Sequence, residues 1–362
     1  MVRSGGAHHQ VTHAENVAQG TRACGGKGEW LADSLVRPSR PLECGLRPHP
    51  MIRMQPASKA RLQIHFCVLL WGFTAILGKL ITLPALPLVW WRMLLVVVAL
   101  LLMPKVWRGL FAMPARLLWA YAGIGVLVSL HWLSFYAAIK LSNASVGATC
   151  IALGPVFLAF IEPWIARRRF DPRELMIGIA VVPGVAMVVG GVPHGMRLGI
   201  AVGVLSALFV ALFSSLNKRL VEHGDPLTVT CIELGTGTAF LTVLAPLLPH
   251  TGAAFVLPNT HDALLLLALS FGCTLLPFTL ALVALRHLSA FGTQMVTNLE
   301  PVYAIVLAVV LLNEQRQLDG WFYAGVAVIL AAVFMHPLLH RQDKQPIQPE
   351  LLGTAESHGM VD

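Results

Sequence analysis

The sequence predicts an all-α polytopic membrane protein: ten transmembrane helices arranged as two inverted five-helix repeats. Three observations predict it. Of the 362 residues, 56% are hydrophobic and 12% charged, with a mean hydropathy of +0.70; a soluble domain carries about 25% charged residues. Apolar runs of bilayer-crossing length, about 20 residues, follow one another from residue 62 onwards. Two of those runs, one in each half, align with each other.

Residues 1–60 are rich in Gly, Arg, His and Pro and carry no apolar period, so a disordered cytosolic tail is expected there. The alternative is an over-extended start, with translation beginning at Met51 or Met54 rather than Met1. No continuous apolar core marks a secretory signal. The ten expected spans are 62–82, 87–104, 116–138, 144–166, 174–191, 198–217, 226–248, 262–285, 290–312 and 320–338. They group as a first repeat, 61–192, and a second, 197–338; residues 339–362 read as a disordered cytosolic tail. Linkers are short and carry Pro, Gly or charge, as in RRRFDPRE at 167–174 and KRLVEHGDP at 218–226.

Orientation follows from where Lys and Arg fall. With the N-terminus in the cytosol, inner segments hold Lys105, Arg108, Arg167, Arg168, Arg169, Arg173, Lys218, Arg219 and Arg286. The outer loops hold only Lys140, Arg197 and Arg316. Both termini are therefore expected inside, in a multi-pass protein of the inner (plasma) membrane. The net charge of +8 is spread between apolar runs and forms no aromatic-interleaved patch, so no nucleic acid is expected. Cys67, Cys150, Cys231 and Cys273 lie singly in apolar segments without CxxC, which points to buried thiols and not to a metal.

The stretch SAFGTQMVTNLEPVYAIVLAVVLLNEQ at 289–315 organises the chain. It can cross a bilayer, yet Asn298, Glu300 and Pro301 sit near its middle. A carboxylate at that depth costs about 2.5–3.5 kcal/mol on insertion scales. Pro301 removes a backbone donor, which is tolerated only against protein or a wet cavity. ASVGATCIALGPVF at 144–157 aligns with AFGTQMVTNLEPVY at 290–303 without gaps, Pro155 falling on Pro301 and Gly154 on Glu300. Five spans per half make the second copy enter from the opposite side. Inverted repeats characterise secondary transporters, whose site lies between the copies near the midplane.

WGFTAILGKL at 71–80, YAAIKLSNASVG at 136–147 and NLEPVYAIVLAVVLLNEQ at 298–315 resemble the drug/metabolite transporter superfamily, EamA type. The resemblance covers about residues 61–338. It implies a secondary-active carrier exporting amino acids or related small metabolites by alternating access. Import of a small metabolite or drug, and a non-catalytic membrane protein of the same fold, are the alternatives. Gly154 stands where the second half has Glu300, so a symmetric pair of midplane carboxylates is absent.

Glu300 is the leading site candidate: it could bind a cationic group or exchange a proton, or serve as a structural carboxylate. Thr297 precedes it by three residues and shares its face; Asn298 is on another face, and Tyr303 aligns with Phe157. Arg92, in WWRMLL, either snorkels to the outer surface or holds a substrate carboxylate. His131 and Tyr136 would supply an aromatic cavity wall with an imidazole. Substrate binding is accordingly expected at Glu300, Asn298, Thr297, Arg92, His131, Tyr136 and Tyr303. Pro155, Pro301, Glu162 and Glu233 are expected to be structural: Glu162 paired with Arg167 or Arg169, Glu233 in an intramembrane pair. No HExxH, GxSxG or Walker A motif is present, so neither an enzyme nor an ATPase is expected. Expected partners are a small-molecule solute, the lipid bilayer, a proton or other ion and a second copy in a homodimer; no cofactor is expected.

Overall fold

The computed structural model describes residues 56–165, 167, 169–248, 255–316 and 318–339. All regular structure among them is helical. The helices are α1 (Pro56–Leu80), α2 (Ala85–Leu101), α3 (Pro104–Ala112), α4 (Ala115–Leu141), α5 (Ala144–Cys150), α6 (Gly154–Ile165) and α7 (Pro172–Gly190). They continue as α8 (Arg197–Leu220), α9 (Pro226–Leu244), α10 (Thr260–Leu267), α11 (Leu276–Leu285), α12 (Ala290–Thr297), α13 (Glu300–Leu312) and α14 (Gly320–Leu339). Helix α1 begins at Pro56, inside the stretch expected to be tail. The rest of that tail, the start alternatives and residues 340–362 lie outside the described residues.

Each of the ten expected apolar segments is helical. By length and composition seven helical segments of the described chain can cross a membrane, or eight if α2 and α3, bent by 91° between them, count as one. The turn between α2 and α3 lays α3 across the bundle, where Lys105 Nζ reaches Asp225 Oδ1 at 2.6 Å.

Short polar residues start several of the helices. Asn143 Oδ1 accepts from Val146 N at 2.8 Å, Ser289 Oγ from Gly292 N at 2.9 Å and Asn259 Oδ1 from Asp262 N at 2.8 Å. Each satisfies a first-turn donor that would otherwise be unpaired. Asn313 ends α13 at φ 55°, the left-handed cap that Asn and Gly adopt most easily.

Small residues set the helix contacts, as expected without a hydrophobic driving force between helices in lipid. At Gly184 in α7 a Cβ would lie 2.7 Å from the Gly325 carbonyl of α14, and a Cβ at Gly325 would press on the Gly184 carbonyl in turn. Gly199 and Gly203 of α8 bring that helix against Ser142 and Cys150. Gly325→Leu therefore forces α7 and α14 apart. Overpacking of this kind costs about 1–3 kcal/mol. The expected result is a lower yield of monodisperse protein in detergent size-exclusion chromatography, while Gly195→Leu, at a position with open space around it, leaves the yield unchanged.

Two segments are broken at matching places. A single 3₁₀ turn, Ile151–Leu153, separates α5 from α6, and Asn298 and Leu299 separate α12 from α13. Pro155 and Pro301 are the second residues of α6 and α13. A proline there forfeits no helical hydrogen bond, because first-turn N–H groups have no partner in the helix. The two broken segments are tied reciprocally. Glu162, in α6, accepts from Ala290 N (3.2 Å) and Phe291 N (2.7 Å) at the start of α12. Glu314, just after α13, accepts from Ala144 N, Ser145 N (both 3.1 Å) and Ser145 Oγ (2.7 Å) at the start of α5. Each carboxylate thus sits at the positive end of the other half's helix.

Candidate functional site

Helix breaks and an interior arginine, the latter held by a π-helical stretch, converge on one cavity. Between α10 and α11 the backbone forms a π-helix over Ala268–Leu275, a feature that often marks functional sites. Thr274 Oγ1 donates back to Leu269 O at 2.7 Å. Pro277 has no N–H, so the carbonyl four residues earlier, Cys273, lacks its helical donor. Arg92 fills that need. Its Nη2 donates to Cys273 O (3.3 Å), its Nε to Thr274 Oγ1 (2.5 Å) and its Nη1 to Tyr136 Oη (2.8 Å). The guanidinium carbon lies 4.0 Å from the centroid of Trp132, a cation–π contact strengthened by exclusion of water.

Arg92 is 1% exposed and lines the cavity, so the snorkelling alternative is set aside. The neighbouring tryptophans hold the first half of α2 instead: Trp90 Nε1 donates to Thr242 Oγ1 and Trp91 Nε1 to Val256 O, both at 2.9 Å. Glu300, 7% exposed, lines the same cavity from the first turn of α13, where the helix N-terminus favours a negative charge. Arg92 and Glu300 interact electrostatically without forming a direct ion pair among the described contacts.

The cavity has a volume of about 100 Å³. A water needs roughly 10–15 Å³ of such space, so the cavity takes a solute of several to about ten heavy atoms. Trp71, Trp132, Phe135, Phe213 and Phe278 form much of its wall. His131 also lines it, with its Nδ1 3.0 Å from Ser206 O and 2.8 Å from Ser206 Oγ. Thr297, Thr293 and Gln294 face it from α12. Gly154 matters here for its lack of a side chain: a Cβ would stand 2.8 Å from Gln294 Nε2. The residue opposite Glu300 in the aligned repeat is thus small because α12 passes against it.

Of the seven expected binding residues, the structure brings Arg92, Glu300, Thr297 and His131 to the cavity and leaves three away from it. Tyr136 is fully buried behind Arg92 and accepts its hydrogen bond. Asn298 turns its amide to Ala152 O, 3.2 Å away, in the break of the other half's segment. Tyr303 packs its Cβ against Gly72 of α1, a position with no room for a side chain. Glu162 accepts from Ala290 N and Phe291 N at the α12 N-terminus, a role beyond the expected pairing with Arg167 or Arg169. Glu233 hydrogen-bonds Asn217, where an ion pair had been expected. Sequence reasoning missed Trp71, Asn217 and Phe213 as wall residues. The WGFT stretch and the Asn that ends the apolar run of α8 were the available signals.

A set of membrane-crossing helices that encloses a solute-sized cavity, with a buried cation and a buried carboxylate on its wall, defines a polytopic membrane protein with an internal polar site. The chain belongs to the EamA-like transporter family, which matches residues 59–190 and again 197–337; it is a multi-pass membrane transporter. Over 176 residues it is 28% identical to phosphoenolpyruvate/phosphate translocator 2, chloroplastic, of Arabidopsis thaliana. That alignment covers 47% of this chain and 44% of the translocator, so it spans less than half the relative's length. A solved crystal structure is similar over 78% of this chain and 98% of its own, with a TM-score of 0.59 and 18% identity. At that identity the likeness is one of fold.

Proposed function

We propose that this transporter is a secondary-active carrier that exports amino acids or related small zwitterionic metabolites by alternating access. In this reading ten spans form two inverted five-helix repeats, 61–192 and 197–338, with both termini cytoplasmic and the protein in the cell's inner membrane. Support for the repeat comes from the twofold family match, the paired breaks just before Pro155 and Pro301, and the reciprocal caps of Glu162 and Glu314.

One observation carries the substrate class: a single small aromatic-walled cavity is lined by one guanidinium and one carboxylate, Arg92 and Glu300. An α-amino acid offers the complementary pair, a carboxylate and an ammonium, on a body of suitable size. The relative's name favours a second reading, a phosphorylated organic acid. Among the described residues lining the cavity, Arg92 is the sole Lys or Arg, which serves a monocarboxylate better than a multiply charged phosphate.

Purified protein in sealed vesicles should exchange a radiolabelled amino acid against an internal pool of the same compound without nucleotide. Exchange of phosphoenolpyruvate with no exchange of any amino acid would select the second reading, and exchange of neither would remove the carrier assignment for both classes. Glu300→Gln should lower that exchange at least about tenfold, since a charged hydrogen bond contributes about 1.5–3 kcal/mol. Folded yield should fall far less; equal losses would make Glu300 structural.

A further inference from the structure

Behind the central cavity lies a second buried carboxylate that solute binding does not use. Glu233 is 0% exposed, in the middle of α9. One carboxylate oxygen accepts a long hydrogen bond, 3.4 Å, from Asn217 Nδ2. The other, Oε1, has no hydrogen-bond partner, and neither does Asn217 Oδ1. Asn217, itself 1% exposed, lines the central cavity on one side and a second, one-water cavity of about 10 Å³ on the other. That small cavity is bounded by Tyr121, Gly224 and Pro226 at the α8–α9 turn, the end expected to face the cytosol. Leu282 is the other residue that walls both cavities.

The charged and titratable groups of the surrounding elements bond elsewhere, although the buried Nε of Arg286 has no partner. From α4, Tyr121 Oη donates to Leu220 O at 2.7 Å. Beyond α11, Arg286 Nη2 donates to Gly224 O at 2.8 Å. From α8, Lys218 Nζ donates to Leu285 O at 2.6 Å. On α2 Arg92 holds Tyr136, Thr274 and Cys273, and on α3 Lys105 pairs with Asp225. Among the described residues no cation forms an ion pair with Glu233. A buried carboxylate with one weak amide donor is unfavourable as an anion. A bound proton removes that charge, and the empty oxygen is where it would go.

We infer that Glu233 carries the coupling proton of transport, with the Asn217 amide as the gate between it and the central cavity. This rests on the central cavity being the solute site. The proton comes from water on one side, adds to Glu233 Oε1, and returns to water on the other side once the cavity has turned. Asn217 transmits solute occupancy, because any solute that moves it disturbs the sole hydrogen bond that the Glu233 carboxylate accepts among the described residues.

Two measurements on the full chain test this. In vesicles loaded with leucine, Glu233→Gln should still exchange external radiolabelled leucine within about twofold of wild type, because exchange returns the carrier in one protonation state. Uphill leucine movement driven by an imposed pH gradient should fall at least about tenfold. Movement driven by a sodium gradient and indifferent to pH would overturn the proposal, as would equal loss of both readouts in the variant. The second needs no solute: infrared difference spectra between acidic and alkaline buffer should contain a carboxylic-acid carbonyl band that is missing in Glu233→Gln and present in Glu300→Gln. Absence of any band specific to Glu233 overturns the inference. Absence of leucine exchange in wild type with that band present counts against the solute assignment instead.

Discussion

Arg92→Lys is expected to cut solute exchange about 100-fold although it keeps the positive charge. The guanidinium makes three directed hydrogen bonds, to Thr274, Tyr136 and Cys273, and lies flat on Trp132. A lysine ammonium is a point donor on a flexible stem and cannot hold that fork. Cys273 O, left without its helical donor by Pro277, would then be buried without a partner, at a cost of about 1–3 kcal/mol. The variant should therefore also melt several degrees lower in detergent. The two effects separate through Tyr136→Phe. That change removes one of the three bonds while leaving the guanidinium in the cavity, so it should lower the melting temperature but keep most of the exchange. Exchange by Arg92→Lys at the wild-type rate would remove Arg92 as a solute ligand and leave it a clamp on the π-helical stretch.

This arginine also marks the boundary of what the sequence discloses. Its position five residues into an apolar run is compatible with a lipid-facing or an inward-facing side chain. Burial depends on α10 and α11 packing over it, and on a carbonyl released by Pro277, 185 residues later in the chain. By contrast the all-helical, membrane-crossing character of the chain was legible, because hydropathy and punctuation by Pro, Gly and charge report on local chain chemistry. That this segment is interrupted beside Glu300 and Pro301 was legible for the same reason, a carboxylate and a missing N–H in lipid-length sequence; the break itself falls at Asn298 and Leu299. What helix periodicity could not supply was the rotation of each segment. Tyr136 was placed on the cavity wall by helix spacing and Tyr303 by its alignment with Phe157, yet α13 turns Tyr303 onto Gly72 and α4 turns Tyr136 behind Arg92. Asn298, polar and adjacent to Glu300, serves a neighbouring backbone carbonyl, a requirement that arises only once two broken segments cross.

The crossing itself yields the second large effect. Glu314→Ala is expected to destabilise the protein by about 3 kcal/mol, since hydrogen bonds to a charged group contribute about 1.5–3 kcal/mol. Glu314 is 2% exposed and satisfies three donors at the start of α5: Ala144 N, Ser145 N and Ser145 Oγ. Without the carboxylate two first-turn N–H groups lose their acceptor where water is scarce. Glu314→Gln keeps one acceptor oxygen but no charge, so it should fall between wild type and alanine. Glu162→Ala removes the equivalent cap on α12. Ser145 and Glu162 are 17 residues apart on one broken segment, roughly 25 Å at 1.5 Å per residue. Energies at such separation add within about 0.5 kcal/mol if the sites are independent. If instead the two broken segments behave as one rigid crossed pair, the first alanine loosens both ends and the second costs less than its own share. Melting temperatures of the two single variants and the double variant in one detergent decide between these. Additive losses describe two separate staples. Sub-additive losses describe a beam that keeps its shape while the surrounding helices move, which requires the reciprocal caps to stay closed through the transport cycle.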